Sequence, residues 1–419
     1  MTTPSPGLAA RSTVRGDRDF NRLWAARSMS DVGSAVGTLA LPLVAVLTLH
    51  ASTFAVSLLT ALGAATAAAL ALPLGLFVEY RRKRPVMIGT DLARALSLAS
   101  IPAVAAFDAL TYPQLALVAM LNTALAITFG GASQAHLKAL VPHAALADAN
   151  GRLESTQWFA SSTGPALGGA LVGLLGPART LLVDAASFLV SAVFVRRIRR
   201  PEPPVQTRPA SRRGEMAAGM MFLLRNKELR RCLASYTVFA STIMLLSPLQ
   251  ALLLVRELQA TPLEYGIVVG LPCLAGLVGA RLARRAIDRY GLIPTLWWSS
   301  VLRGPWMVLM PLAPTGGIGL LMVGVALAGL LGFAAVANTS LATYRQHHTP
   351  DNLMARAATA WSMTIRVGQP LGAVAGGITG TILGVTGGIW FGVVLLVGSA
   401  FLLPRRATTT PQSTTEKLG

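Results

Sequence analysis

Charge is scarce in this chain for its length. Charged side chains make up 13% of its 419 residues, against 53% hydrophobic. A soluble protein of this size carries roughly a quarter charged residues, so the polar surface needed to face water is missing and lipid is the expected solvent. Cysteine is nearly absent. Cys232 and Cys273 sit on separate apolar segments, which excludes a disulfide framework or a cysteine-based metal site. The adjacent His347 and His348 would point to different faces of a helix, so no metal is expected there either. No GxxxxGK[ST] loop occurs, which argues against nucleotide-driven work by a single chain. The apolar runs hold no cluster of His, Cys, Asp or Glu at catalytic spacing, which argues against an enzyme, and no cofactor is expected. The net charge of +19 falls in short clusters between apolar runs with no basic aromatic face, so nucleic acid is not an expected partner. The first residues, to about Asp19, are polar and lack the apolar middle of a cleaved signal peptide.

What is present is organised around Gly75 to Ala95. An apolar run from Phe54 to Val78 precedes a short turn carrying Glu79, Arg81, Arg82, Lys83 and Arg84, and a second apolar run follows to about Phe107. Two hydrophobic helices joined by a tight basic turn make a membrane hairpin. The arrangement recurs 209 residues later, where Glu79 maps on Asp288, Pro85 on Pro294 and Arg94 on Arg303. With a ruler of about 20 apolar residues per span, twelve candidates emerge. They lie near 24–48, 54–78, 86–107, 113–136, 155–176 and 180–197, then 232–255, 264–287, 292–312, 317–342, 357–383 and 386–403.

Alternate connections carry the Lys and Arg: Arg81 to Arg84, Lys138 and Arg152, then Arg284, Arg285 and Arg289, then Arg345 and Arg356. The opposite set carries Arg179 and Arg256 and little else. Positive charge stays inside, so both termini are expected in the cytoplasm of a multi-pass protein of the cell membrane. The expected division is a disordered N-terminus over 1–19, a six-helix bundle over 20–198, a basic linker over 199–231, a second bundle over 232–404 and a disordered tail over 405–419. Within the linker, Gly214 to Leu224 reads either as an amphipathic helix on the membrane surface or as plain linker attracted to anionic lipid.

Two sixfold halves joined by a cytoplasmic linker, with the hinge Gly75-Leu-Phe-Val-Glu79-Tyr80-Arg-Arg-Lys-Arg84, resemble the major facilitator superfamily. The usual hinge has Asp then Arg where this chain has Glu79 and Tyr80; the acid is kept and the arginine is displaced to Arg81. Phe20 to Trp24, Leu41-Pro42, Asp91-Leu-Ala-Arg94 and Pro142 to Asn150 look most like the branch of macrolide and siderophore exporters. The resemblance implies an all-α membrane protein of twelve helices in two pseudo-symmetric bundles, working as a monomer and binding small-molecule cargo between the halves. It also implies a gate containing Gly75, Glu79, Arg81 and Arg84, with Asp288 and Arg289 as the second copy. Gly164-Pro165-Ala-Leu-Gly168-Gly169 in the fifth span resembles the signature of proton-coupled drug exporters, with Ala160 in place of the first glycine. Gly368-Gln-Pro370-Leu-Gly372 reads as a degenerate copy. In any membrane bundle, small residues of this kind also let helices approach.

The first span places Arg27, Asp31, Ser34 and Thr38 on one helical face. An ionisable group at bilayer depth costs about 2.5–3.5 kcal/mol on insertion scales, so it should face a bundle interior or a wet cavity. Asp31 therefore reads either as a proton or cation site or as the acid of an Arg27–Asp31 ion pair. Asp91 and Arg94 lie three apart on the third span and are expected to link to the basic hinges as part of the gate. Asp184 follows the Gly176-Pro177 turn, sits in the first turns of the sixth span and is expected to be structural, favoured by the helix N-terminus. Asn122, Gln157, Tyr236, Arg303, Asn338, Trp361, Arg366 and Gln369 complete the candidate cavity wall. Ion coupling without nucleotide is energetically adequate, since one charge crossing 100 mV supplies about 2.3 kcal/mol. Proton-coupled efflux of amphipathic molecules is the leading expectation. Metabolite uptake or uncoupled diffusion by the same fold is the second, and a membrane enzyme or channel the third.

Overall fold

The computed structural model describes residues 16–142, 145–202 and 213–404. Every regular element among them is helical. The first half comprises α1 (Arg18–Leu43), α2 (Thr53–Glu79), α3 (Lys83–Ala105), α4 (Tyr112–Leu140), α5 (Leu146–Leu175) and α6 (Pro177–Arg196). A connecting helix α7 (Arg213–Arg225) leads to the second half: α8 (Lys227–Leu252), α9 (Pro262–Gly270), α10 (Cys273–Tyr290), α11 (Leu292–Leu302), α12 (Gly317–His347), α13 (Asp351–Ile382) and α14 (Gly384–Phe401). The eighth span is thus built from two helices, α9 and α10, broken at Leu271-Pro272. The ninth continues past α11 as a 3₁₀ turn over Pro305–Leu309.

Eight spans are long and apolar enough to cross a membrane by length and composition alone. The remainder, α3, α5, α13 and the short α11, pack among them. Their charged, polar or small residues lower their hydropathy, and these residues do much of the work described below. Leu96, Phe107 and Leu174 are more than three-quarters exposed on the outside, where lipid takes the place of a packing partner.

Through the first two spans of each half the internal repeat is accurate to the residue. Asp17 caps α1 by accepting from the Asp19 and Phe20 N–H groups at 2.9 and 3.1 Å, and Asn226 caps α8 through Glu228 and Leu229 in the same way. Such caps satisfy amides that the first turn cannot pair. π-turns close the first helix of each half at Val44–Thr48 and Leu253–Glu257. His50 and Gln259 then turn the chain with positive φ, and Ser52 and Thr261 cap the helices that follow. Each pair is 209 residues apart, the spacing of the basic hinges.

Two expectations change at the ends. Helix α1 begins at Arg18, and Asp17 is tied to Arg200 at 3.0 Å, so order starts before residue 20; the rest of the N-terminus and the 405–419 tail lie outside the described residues. The linker contains a helix, and α7 does not hang free. It packs on α13, with Leu223 fully buried and Gly219 against the Arg356 backbone.

The halves meet mainly through two helix pairs, α5 with α9 and α2 with α13, with smaller contacts of α2 with α8 and α5 with α10. Adjacent glycines make both main pairs possible. On α5, a Cβ at Gly168 would sit 2.8 Å from the Val36 carbonyl of α1, and one at Gly169 would overlap Pro262 at the start of α9. On α13, a Cβ at Gly376 would overlap Leu245 of α8, and one at Gly377 would sit 2.9 Å from the Ser57 Cβ of α2. One glycine of each pair faces the helix's own bundle and the next faces the other half. The second copy of the Gly164–Gly169 run is therefore Gly372–Gly377, one helical turn beyond the Gly368–Gly372 stretch expected from sequence. Pro370 marks that stretch, yet the true copy carries Ala373 where the first carries Pro165.

Both contacts lie on the side away from the basic hinges, and there Arg256 Nη2 also donates to the Ala51 carbonyl. On the basic side, Gly75 shares the α2 face of Ser57, yet a Cβ there would meet nothing within 4 Å. The molecule is closed at one face and parted at the basic one. A Cβ at Gly380 would stand 3.0 Å from Thr53 Cγ2, within reach of an S–S bond. With Thr53→Cys and Gly380→Cys, and a protease site placed in the linker, the two cut halves should stay joined on a non-reducing gel and separate on reduction. Separation without reductant would contradict this packing.

Candidate functional site

A buried ionic cluster lies inside the first half, where α1, α3, α4 and α6 meet. Arg94 of α3 is 7% exposed. Its Nε donates to Asn122 Oδ1 at 3.1 Å, Nη2 to Ser34 Oγ at 2.9 Å and Nη1 to Ser30 Oγ at 3.3 Å. The guanidinium stacks on the Phe188 ring of α6, 3.8 Å from its centroid. Asp184, Asp91 and Asp31 surround it within electrostatic reach. None of the three makes direct salt-bridge contact with Arg94 among the described residues. The neutral oxygens hold its geometry and the acids balance its charge.

Asp91 and Asp184 are sealed from solvent. Neither Asp91 oxygen has a hydrogen-bond partner among the described residues, nor does Asp184 Oδ1. Glycines on α1 make room for them: a Cβ at Gly33 would stand 2.8 Å from Asp184 Oδ1, and one at Gly37 would run into Asp184 Oδ2. Asp31 differs. It lies on the opposite side of α1 from Gly33, a quarter exposed, with Arg27 Nε 3.7 Å from its carboxylate.

The expected link from Asp91 and Arg94 to the basic hinges is not what the structure builds, because both side chains turn inward toward α1 and α6. Asp184 is also more than a helix-terminal acid. It lies two turns into α6 and belongs to the Arg94 cluster. The nearby Gly33 and Gly37 are the available sequence signal, since they mark where another helix comes close to α1.

The second half repeats the arginine without the acids. Arg303 is 2% exposed and stacks on Phe239, 3.7 Å from the ring centroid, with Ser399 Oγ accepting from Nη2 at 3.4 Å. Phe239 occupies the position equivalent to Ser30, and Ser300 that equivalent to Asp91. Tyr236 and Asn338 line the same small pocket, and the Tyr236 ring is tilted against Trp361 with centroids 6.2 Å apart. Trp361 is buried beneath Arg345, whose guanidinium is 5.0 Å from its ring.

Arg366 stands apart from that group. It lies three turns before Gly377 on the α13 face that meets α2. With Ala358, Thr359, Ser362 and Met363 it lines a cavity of about 290 Å³ in the parted, basic side of the interface. Gln157 is exposed on α5, and Gln369 half-buried on α13. In the hinges, Asp288 and Arg289 are exposed, and Arg289 lies over Tyr290 at 5.4 Å.

The family model for the Major Facilitator Superfamily matches residues 23–357 and, again, 232–418. The chain belongs to that superfamily. It is a multi-pass membrane transporter and not an enzyme. It is 25% identical over 399 residues to the uncharacterized MFS-type transporter YfiS of Bacillus subtilis, covering 91% of this chain and 89% of that one. It is 26% identical over 227 residues to the multidrug efflux pump Tap of Mycolicibacterium fortuitum, covering 52% and 54% of the two chains. Among solved structures, a point mutant of nucleoside transporter NupG superposes with a TM-score of 0.73 at 14% identity, over 91% of this chain and 98% of that one.

The two arginines should respond differently to removal. Taking one partner from a buried ionic group costs about 3–5 kcal/mol, because a charge is left unbalanced. Arg94→Met should therefore lower the thermal unfolding midpoint in detergent sharply. Arg303→Met, which strands no acid, should leave it unchanged or raised. Equal losses for both would show that the acids do not balance Arg94.

Proposed function

We propose that this transporter exports amphipathic small molecules in exchange for protons, with both termini and the basic hinges in the cytoplasm. The observation that carries the reading is the uneven charge of the two halves. Three carboxylates gather around one guanidinium in the first half, and of these Asp31 alone is partly exposed, its side chain by a quarter, while Asp91 and Asp184 are buried. The matching arginine in the second half has no acid among the described ion pairs. Proton chemistry then belongs to the first half.

Asp31 is the group that exchanges protons. When ionised it holds Arg27 and adds to the field that retains Arg94. Protonation releases Arg27 and lowers the negative charge beside α1, so the two states of the gate respond differently to pH on either side. A bound proton shifts the equilibrium only through such a difference. Asp91 and Asp184, without access to the cleft, keep Arg94 in place. Arg366, on the opposite wall, offers a cation to a polar group of cargo, while the surrounding apolar surface takes its body. With basic loops retained inside, the parted face is the inner one and the form described is inward-facing. The glycine run in α5 and the partial similarity to a multidrug efflux pump support export.

The test is accumulation of a cargo panel of macrolides, cationic dyes and siderophores in inverted vesicles with an imposed inside-acid gradient. The gradient should drive accumulation of at least one compound, and a protonophore should abolish it. Asp31→Asn should retain exchange of labelled for unlabelled cargo but lose gradient-driven accumulation. Accumulation indifferent to the gradient, or undiminished in Asp31→Asn, would overturn the coupling role.

A further inference from the structure

A second cavity lies on the outer flank of the first half, at the basic hinge. Its volume is about 690 Å³, in the range of ligand sites, and it opens between α2, α3 and α4. Leu74, Phe77, Pro85, Val86 and Leu125 form the apolar part of its wall, and Arg81 and Arg82 stand at its rim. Phe77 lies nearly opposite Ser57 around α2, so the cavity faces away from the second half and toward the bilayer. It is separate from the cleft that takes cargo.

The hinge divides its cations between two tasks. Lys83 Nζ donates to the carbonyls of Val78, Glu79 and Arg81 at 2.8, 2.9 and 2.6 Å, a cationic cap on the end of α2. Arg84 Nη2 donates to the Arg196 carbonyl at 3.2 Å. The free amides of α3 are also used: Glu202 accepts from the Lys83 and Arg84 N–H groups, both at 2.7 Å, and Pro85 has no N–H to offer. Arg81 and Arg82 remain. Both are exposed, and neither has an ion-pair partner among the described residues. Arg81 leans over Phe77, 5.5 Å from the ring centroid.

We infer that this cavity is a binding site for an anionic phospholipid of the surrounding leaflet. The phosphate would lie between Arg81 and Arg82 at headgroup depth, with an acyl chain running down the apolar wall. A soluble anion would use the guanidiniums but not that wall. A zwitterionic lipid would use the wall but carries its own cation to the arginines. Two unbalanced cations above an apolar trough open to lipid select a ligand with both parts.

Native mass spectrometry of the detergent-solubilised full chain, titrated with phosphatidylglycerol and phosphatidylcholine in parallel, tests the inference. The wild type should retain phosphatidylglycerol in preference to phosphatidylcholine. A juxtamembrane arginine contributes about fivefold in affinity for anionic lipid, so Arg81→Gln with Arg82→Gln should weaken phosphatidylglycerol retention by about tenfold or more. The paired change Arg284→Gln with Arg285→Gln, at the exposed hinge end of α10, controls for diffuse attraction to a basic surface. Equal loss in both double variants would overturn the site, as would no loss in the first. Gly89→Leu gives an independent reading. Gly89 lines the cavity and a Cβ there meets nothing within 4 Å, so the leucine should fold, fill the trough and displace the lipid with all charges intact. Undiminished retention in a folded Gly89→Leu protein would likewise refute it.

Discussion

Two pairs of adjacent glycines, Gly168-Gly169 and Gly376-Gly377, set the terms for everything else in this molecule. Consecutive residues on a helix point about 100° apart, so each pair serves two neighbours at once. Gly168 and Gly376 admit the first helix of their own half, α1 and α8. Gly169 and Gly377 admit α9 and α2 of the other half. In lipid, where apolar surface gains little by leaving its surroundings, close backbone approach and dispersion are the main sources of helix cohesion. The glycines therefore fix both the integrity of each bundle and the seal between bundles. Because both seals lie toward the same face, the opposite face is free to part, and the cleft follows from where the small residues fall along α5 and α13.

The ionic groups are arranged around that skeleton. Gly33 and Gly37 bring α6 against α1 closely enough to bury Asp184, and α3 supplies Arg94 as the balancing charge. The oxygens of Ser30, Ser34 and Asn122 hold the guanidinium, so one side chain connects three helices besides its own when the Phe188 stack is included. In the second half Phe239 takes the place of Ser30, and ring contact replaces a hydroxyl. An aromatic face stabilises a guanidinium without supplying a titratable group. Duplication thus kept the arginine that staples the bundle and left the acids around it in one copy.

Much of the fold is legible in the sequence because lipid imposes a simple rule. Backbone groups must pair within each segment, so spans appear as long apolar runs, and the basic hinges give the 209-residue repeat before any helix is placed. That spacing recurs in the Asp17 and Asn226 caps, the two π-turns and the positive-φ residues His50 and Gln259. The site is less legible. Asp31 with Arg27 can be found from spacing on one helix, whereas Asp184 with Arg94 joins residues 90 positions apart through a packing direction that sequence does not state. Asp91 and Arg94 group with the hinge by nearness in the chain, yet a helix turns side chains away from their sequence neighbours. The copy of the glycine run is displaced by one turn from its expected place because Pro370 resembles Pro165, although the close contacts depend on the glycines.

The break in the eighth span shows how the skeleton can move without losing its core. Helix α9 packs on α5 of the first half, while α10 packs on α12 of its own bundle. One membrane crossing is therefore shared between the two halves. A continuous helix in that place would transmit every tilt of the second half directly into the contact with Gly169. Leu271-Pro272 interrupts the ladder between those two commitments, and Pro272 cannot donate the amide that would join them. Its counterpart α2 is unbroken and carries Pro73 within the helix, on the basic side of the contact with Gly377. The same mechanical demand is thus met at different depths in the two halves. Rocking the bundles should therefore bend α2 nearer its basic end and pivot the eighth span nearer its middle, so that a pseudo-symmetric frame opens along an asymmetric path.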